Sequence, residues 1–406
     1  MSDVLVARQP IFDRRLELAG YELLFRGEFD SSEATIASPE GATATVVMNS
    51  FTEIGLERIV GGHTAWINVS REFLVGGLAQ TVPPGLVLLE ILEDQLIDDM
   101  LIAAVKKLKR HGYQLALDDF RYGPEAEPLL ALVDVVKLDL LALGHEKLAR
   151  EVARLKPYGV ALLGEKLETH EDYTYCANAG CELFQGYFFC HPEIMHSKRV
   201  DANRMALLEV LAALQDPDVE LGVLERLIAR DVGLSYRLLS YINSAFFGLR
   251  RQVRSIGHAL ALLGVENLKH WAALSIFAGI DDKPAELTVT ALVRARFCEL
   301  AGERLPGSAG NELFTLGLFS VIDALMNSPI DQVLEKIPFA PDMREALITR
   351  EGEKGRLLQS ITALEQGDFE RSQQLIPNAG ELYLDCIAWA NDAAEPLLGG
   401  PSPTVA

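Results

Sequence analysis

The first half of the chain alternates between two textures. Short runs rich in Val, Ile, Leu and aromatic residues are bounded by Gly, Pro or polar residues. Longer stretches between them carry apolar residues three and four apart. Eight runs have strand character: VLVARQPIF, LAGYELLFR, TAWINVS, GLVLLEIL, QLALDDF, VVKLDL, GVALLGEKL and ELFQGYFF. Helical spacing covers residues 42–59, 95–111, 141–155 and 170–179. Strands that alternate with helices imply βαβ units and a parallel sheet, and eight strands in about 190 residues point to a closed barrel. Only about eleven residues separate the middles of the first two strands, too few for a crossover helix. The pattern therefore predicts a modified (β/α)8, TIM-like barrel that opens with an antiparallel hairpin.

From about residue 199 strand-like runs nearly vanish and amphipathic helices follow one another. Breaks fall at Asp216-Pro217-Asp218, at residues 243–248 and at Gly264-Val265-Glu266. The expected class is α/β followed by all-α: a barrel over residues 1–192, a linker at 193–199, about ten helices over 200–397, and a frayed tail at 398–406. No repeat of fixed period is visible.

Composition narrows the functional classes. The 406 residues are 49% hydrophobic and 23% charged, an ordinary globular balance. Such a chain buries a large core without needing disulfides or metals to fold. The net charge is −21, shared as about −11 in residues 1–200 and about −10 in the remainder. A surface this acidic repels a phosphate backbone and argues against broad nucleic-acid binding. Cys176, Cys181, Cys190, Cys298 and Cys386 are odd in number and form no C-x-x-C, which indicates a reduced chain. No signal-peptide layout is present, and the longest apolar-to-neutral run, residues 271–280, is about half a bilayer span. A soluble, cytoplasmic protein without a membrane span is the expectation.

The chemistry collects at the strand ends. Glu22 lies on the second strand, Asn68 on the third and Glu90 on the fourth, with Glu93 just beyond. The fifth ends in Asp118-Asp119, the sixth carries Lys137 and Asp139, the seventh Glu165 with Glu168 beyond, and the eighth Gln185. In a barrel of this kind the carboxyl ends of the strands share one mouth. So many carboxylates around one point drive one another's pKa values upward unless a cation intervenes. Oxygen-only ligands favour Mg²⁺ or Mn²⁺ over zinc. Two such ions can hold a phosphodiester, activate water and stabilise the leaving oxygen. Lys137 would orient the water or balance phosphate charge. Each residue alone has a plainer reading: a helix N-cap or rim carboxylate, a turn at Asn68 or Gln185, an ion pair between Lys137 and Asp139. The coincidence across nearly every strand favours a shared site.

The runs RQPIFD, GYELLFR, INVS, LLEILE, LALDDF, VKLD, GEKLET and FQGYFF, in this order over residues 4–192, resemble the EAL domain, the bacterial cyclic di-GMP phosphodiesterase module. The resemblance implies Glu22, Asn68, Glu90 and Asp118 as ligands of one metal and Asp118 with Asp119 at a second. It implies Lys137 beside the attacking water, Glu165, Glu168 and Gln185 completing the site, and Arg26 on the substrate phosphate. Two departures stand out. The signature triplet reads Glu22-Leu23-Leu24, with Leu where the family has Ala, which adds bulk beside a ligand. The segment after the Asp doublet reads Arg121-Tyr122-Gly123-Pro124-Glu125-Ala126-Glu127-Pro128, where the family has a Gly-Thr-Gly-Tyr-Ser-Ser-Leu-like loop that couples dimerisation to metal placement.

The second half resembles the HDOD domain, a helical relative of the HD phosphohydrolases. The match runs from Leu214 to Trp271 and is most specific at Asn243-Ser244-Ala245-Phe246-Phe247-Gly248. Ser320 and Val321 stand where an active HD protein carries its His-Asp pair, so this half is expected to be non-catalytic. His258 and His270 read as ordinary surface or core histidines. Arg250, Arg251 and Arg254 read as a solvated face with local ion pairs, or as a contact for an acidic partner or a nucleotide. The first functional hypothesis is a Mg²⁺- or Mn²⁺-dependent enzyme, with two ions, that linearises cyclic di-GMP, while the helical half engages a signalling protein. The second is a weak or inactive cyclic di-GMP receptor, and the third a partner-binding scaffold. A homodimer is compatible with each.

Overall fold

In the computed structural model, residues 4–27, 55–93, 95–120, 122–123, 126–191, 210, 213, 219–229, 232–242, 253, 255–277, 283–303, 310–335 and 339–394 are described. The chain divides into two compact units: residues 1–189 with 363–369, and residues 190–362 with 370–406. The expected linker, the tail, the segment 243–248 and Arg250, Arg251 and Arg254 lie outside the described residues, as do the side chains of Arg26 and His270.

The first unit is a closed eight-stranded barrel in sequence order: β1 Val4–Asp13, β2 Leu18–Gly27, β3 Thr64–Val69, β4 Val87–Ile91, β5 Gln114–Leu117, β6 Val135–Asp139, β7 Ala161–Glu165 and β8 Leu183–Gln185. β1 runs antiparallel to both β2 and β8, and every other neighbour is parallel. The sequence pattern predicts this layout strand by strand. The helices that return the chain are α1 Leu56–Val60, α2 Arg71–Val75, α3 Asp99–Arg110, α4 Glu127–Leu130, α5 Leu140–Leu155 and α6 His170–Ala179. Four of these six starts are capped by side chains. Ser70, Asp98 and Asp139 accept from Phe73, Leu101 and Ala142, and Thr169 forms a capping box with Asp172.

Inside the barrel the alternation of strand side chains stacks an apolar floor beneath a polar layer. Ile11, Trp66, Leu88, Ala116, Val135 and Leu163 pack as one buried cluster, with Leu183 against it. β2 contributes Gly20 at this level, because a Cβ there would lie 2.7 Å from the indole nitrogen of Trp66 and 2.6 Å from the Thr64 carbonyl. Two residues beyond the floor on each parallel strand come Glu22, Asn68, Glu90, Asp118, Lys137, Glu165 and Gln185. On the antiparallel β1 the corresponding step leads back from Ile11 to Gln9, which pairs with Glu22.

The second unit is helical among its described residues: α7 Leu221–Ala229, α8 Val232–Ile242, α9 Ile256–Phe277, α10 Ala285–Ala301, α11 Gly310–Phe319, α12 Ile322–Met326, α13 Ile330–Leu334, α14 Pro341–Thr349, α15 Gly352–Glu365, α16 Phe369–Leu375 and α17 Ala379–Ala394. The last three residues of α15 and the first of α16 group with the barrel unit. α10 is buried on nearly all sides and packs against α11 and α17. α11 approaches closely because Gly317 has no Cβ: one built there would lie 2.2 Å from the Arg294 carbonyl oxygen. No helix among the described residues is long and apolar enough to cross a membrane. Backbone cannot yield to a Cβ as a flexible side chain can. Gly317→Ala should therefore lower the stability of the helical unit by roughly 1–3 kcal/mol, read as a shift of its urea unfolding transition to lower midpoint; an unchanged midpoint contradicts the close approach.

Candidate active site

The polar layer is organised around the ammonium of Lys137, which β6 carries into the barrel with 1% of its surface exposed. Its Nζ lies 2.7 Å from Asp118 Oδ1, 3.1 Å from Glu22 Oε2, 3.2 Å from Glu90 Oε1 and 3.4 Å from Glu165 Oε2. An ammonium has three protons and here faces four carboxylates, so it cannot satisfy them all. Glu22 is the best served: Asn68 Nδ2 donates to Oε1 at 2.8 Å, and Gln185 Nε2 and Lys137 Nζ donate to Oε2 at 2.7 and 3.1 Å. Gln185 Nε2 also reaches Gln9 Oε1 at 3.0 Å. Glu90 is fully buried, and its one polar neighbour of opposite charge is Lys137, whose Nζ lies 3.2 Å from Oε1 as an ion pair. Asn68 Oδ1, Glu165 Oε1 and Gln185 Oε1 are buried without a hydrogen-bond partner, and Asp118 Oδ1 has only its ion pair with Lys137.

The titration behaviour follows from this shortage of positive charge. Burial would raise the Glu22 carboxyl, but Lys137 and the three hydrogen bonds outweigh it and hold Glu22 below its usual value. Burial pushes Glu90 well above the carboxylate range, and the neighbouring Glu22 adds to the shift against the pull of Lys137. Burial also raises Asp118, opposed by Lys137. Glu165 is pushed up to about 8 by burial, with Lys137 opposing and Asp118 adding. Lys137 itself is desolvated, yet the carboxylates of Glu90, Glu22, Glu165 and Asp118 hold it charged.

Two groups of oxygens have the spacing of cation ligands. Atoms of Glu22, Glu90 and Asp118 lie within 4.8 Å of one another, and so do atoms of Asp119, Asp139 and Glu165. The doublet divides between them because Asp119 adopts φ 42°, a left-handed turn that Asp tolerates, so its side chain leaves Asp118's direction. Asp139 Oδ1 caps α5 while Oδ2 receives Lys166 Nζ at 2.6 Å, and Asp119 Oδ1 lies 3.5 Å from the same ammonium. Burial would raise Asp119, but its hydrogen bond with Glu165 and the charge of Lys166 hold it low. The loop carrying Lys166 is locked to the end of β8. Leu167 N donates to the Gln185 carbonyl at 3.1 Å, and a Cβ on Gly186 (φ 144°) would lie 2.2 Å from the Leu167 carbonyl oxygen.

The structure thus brings Glu22, Asn68, Glu90, Asp118, Lys137, Glu165 and Gln185 together, with Asp119 beside Glu165. Glu168 is exposed and outside both groups: Leu167 takes the buried position and Thr169 begins the N-cap of α6. Arg26 lies on β2, its side chain outside the described residues. Glu93 is exposed. Leu23 is buried, and strand alternation turns it away from the face that carries Glu22, so its bulk does not enter the polar layer. In the altered loop, Tyr122 donates to Glu127 at 2.6 Å and lies under the Arg154 guanidinium at 4.0 Å. The sequence reading missed Gln9 and Lys166. Gln9 pairs across from Glu22, a signal legible only once the hairpin register is known. Lys166 carries no strand-end signal.

The EAL domain family matches residues 71–192 and the HDOD domain family residues 204–336. A Vibrio cholerae protein named cyclic di-GMP phosphodiesterase CdgJ is 34% identical over 92% of this chain and 88% of its own length. The chain belongs to the EAL–HDOD family. The Bacillus subtilis protein YuxH is 30% identical over 96% of this chain and 98% of its own. A solved calcium and cyclic di-GMP complex of Klebsiella pneumoniae BlrP1 shares 25% identity over 46% of this chain and 55% of its own, at a TM-score of 0.37. The EAL match begins after Gln9, Glu22 and Asn68; the barrel joins these to the matched segment through β1, β2 and β3. In the HDOD half, Ser320 and Val321 are buried, and Ser320 Oγ accepts from Arg294 at 3.3 Å. His258 is exposed, as a surface histidine would be.

The donor set fits a hard divalent cation: buried carboxylate and amide oxygens, several with no other partner, beside too little positive charge. Burial raises both Glu90 and Glu165, the latter to about 8, so a cation that binds beside them at neutral pH must displace a proton from Glu165 at least. Mn²⁺ titrated calorimetrically at pH 7, in two buffers of different ionisation enthalpy, should release protons, and the number released should fall above pH 8 as Glu165 ionises unaided. No proton release at pH 7 contradicts the raised carboxyls.

Proposed function

We propose that this chain is a divalent-metal-dependent phosphodiesterase that opens cyclic di-GMP to the linear dinucleotide at the carboxyl rim of its barrel. The observation that carries the reading is the layer of oxygens around Lys137, those on five of the strands being buried without a hydrogen-bond partner. Membership in the family of CdgJ supports the substrate. Glu22, Asn68, Glu90 and Asp118 would hold Mg²⁺ or Mn²⁺, and Asp119 with Asp118 the position expected for a second ion. Bound there, the cation supplies Lewis-acid polarisation of the phosphodiester and a lowered pKa for the attacking water.

The chain's own residues do the rest. Asn68 and Gln185 fix the Glu22 carboxylate through their amide N–H groups. Lys137 stays charged and offers its protons to an oxygen entering the layer, balancing the developing phosphate charge. Glu165, protonated up to about pH 8, can give or take a proton beside it. Glu168 at the rim and Arg26 on β2 are assigned to the substrate side, Arg26 toward a phosphate oxygen. The helical half is read as a non-catalytic module that engages a signalling protein, with the barrel as a candidate homodimer element.

A catalytically weak receptor is the second reading. Lys166, ion-paired to Asp119 and Asp139, favours it because it already neutralises the outer carboxylates. Full-length protein incubated with cyclic di-GMP and Mn²⁺ should yield the linear dinucleotide, and Glu22→Ala should cut the rate by about 100-fold or more, beyond the 10–100-fold usual for groups that only orient ligands. Binding without product supports the receptor; neither binding nor product leaves a scaffold.

A further inference from the structure

Lys166 is a non-glycine residue at φ 58°, a left-handed backbone that glycine adopts freely and an L-residue adopts at a cost. The turn is set from outside: Leu167 is fully buried and its N–H and carbonyl are both bonded, to the Gln185 carbonyl and from the Phe188 N–H, at 3.1 Å each. With Glu165 at the end of β7 facing the barrel and Leu167 locked, the chain passes through Lys166 in this conformation whatever its side chain. That side chain is half-exposed and still ends in one place. Its ammonium lies 2.6 Å from Asp139 Oδ2 and 3.5 Å from Asp119 Oδ1. Asp139 is held for it, since its other oxygen caps α5 on the Ala142 N–H at 2.9 Å. Asp119, Asp139 and Glu165 are also the three residues whose oxygens have the spacing of a second cation site.

We propose that Lys166 is the resident cation of this outer group, so that the chain takes one divalent ion, at Glu22, Asn68, Glu90 and Asp118, and uses the Lys166 ammonium where a second ion would sit. The inference rests on the metal-dependent reading above and deepens it. Lys166 is a positioning residue: it keeps Asp119 and Asp139 together and sets the ion count of the site. A fixed ammonium presents a single charge and three N–H donors. It can hold an anionic oxygen at the rim but cannot acidify water as a divalent ion does.

The test counts ions and does not depend on turnover. Mn²⁺ bound to the full-length chain is measured by paramagnetic resonance of the free ion for wild type, Lys166→Gly and Lys166→Met. Glycine relieves the positive φ, and methionine keeps the length and apolar stem while removing the charge; thermal melts confirm that both fold. Wild type should bind one Mn²⁺ tightly. Both variants should gain a second site at least about tenfold tighter than any second site of the wild type. Two tight ions in wild type, or no second ion in either variant, overturns the proposal. No tight Mn²⁺ in any of the three overturns the metal reading beneath it, and is a separate result.

Discussion

The site depends on one imbalance: a single buried ammonium set among four carboxylates. Lys137 cannot donate to all of them, and Glu90, although wholly buried, has only its ion pair with Lys137. Carboxylates in such a place either take protons or take a cation. Glu90 and Glu165 therefore ionise late, while Glu22, with three donors aimed at it, stays charged. Removing any member changes the ionisation of the rest, because all of them share the same positive charge.

What makes the imbalance tolerable is the floor beneath it. Trp66, Leu88, Ala116, Val135 and Leu163 close the barrel with apolar side chains, and the next inward residue on each of those strands is polar. Stability and chemistry thus occupy successive levels of the same strands. Gly20 belongs to the same arrangement, since it leaves the volume into which the Trp66 indole lies. The polar level gains precision from its foundation, because its side chains stand on, or one residue beyond, strands whose register is fixed on both sides.

At the rim the control passes from strands to loops. Asp119 and Lys166 both adopt left-handed backbone, and each turns a side chain away from the path of the residue before it. The loop after β7 is held by Gly186, where no side chain fits. These local turns separate an inner group of oxygens around Lys137 from an outer one around Lys166, although the two share Glu165 between them.

The amino-acid sequence by itself determined the eight strands, the opening hairpin and the oxygen-bearing residue at each strand end. These are local properties: period-two alternation, bounding glycines and prolines, and lengths too short for a crossover. It also carried the change of texture near residue 199. Only the tertiary structure decided which groups meet. Gln9 joins Gln185 because the barrel closes β1 against β8, 176 positions away. Leu23 turns outward by register, Glu168 is left in solvent because Leu167 takes the inside, and Lys166 reaches Asp119 and Asp139 because a buried neighbour sets its backbone. Contacts between distant strands follow from closure and register, and these are properties of the whole sheet that no local window contains.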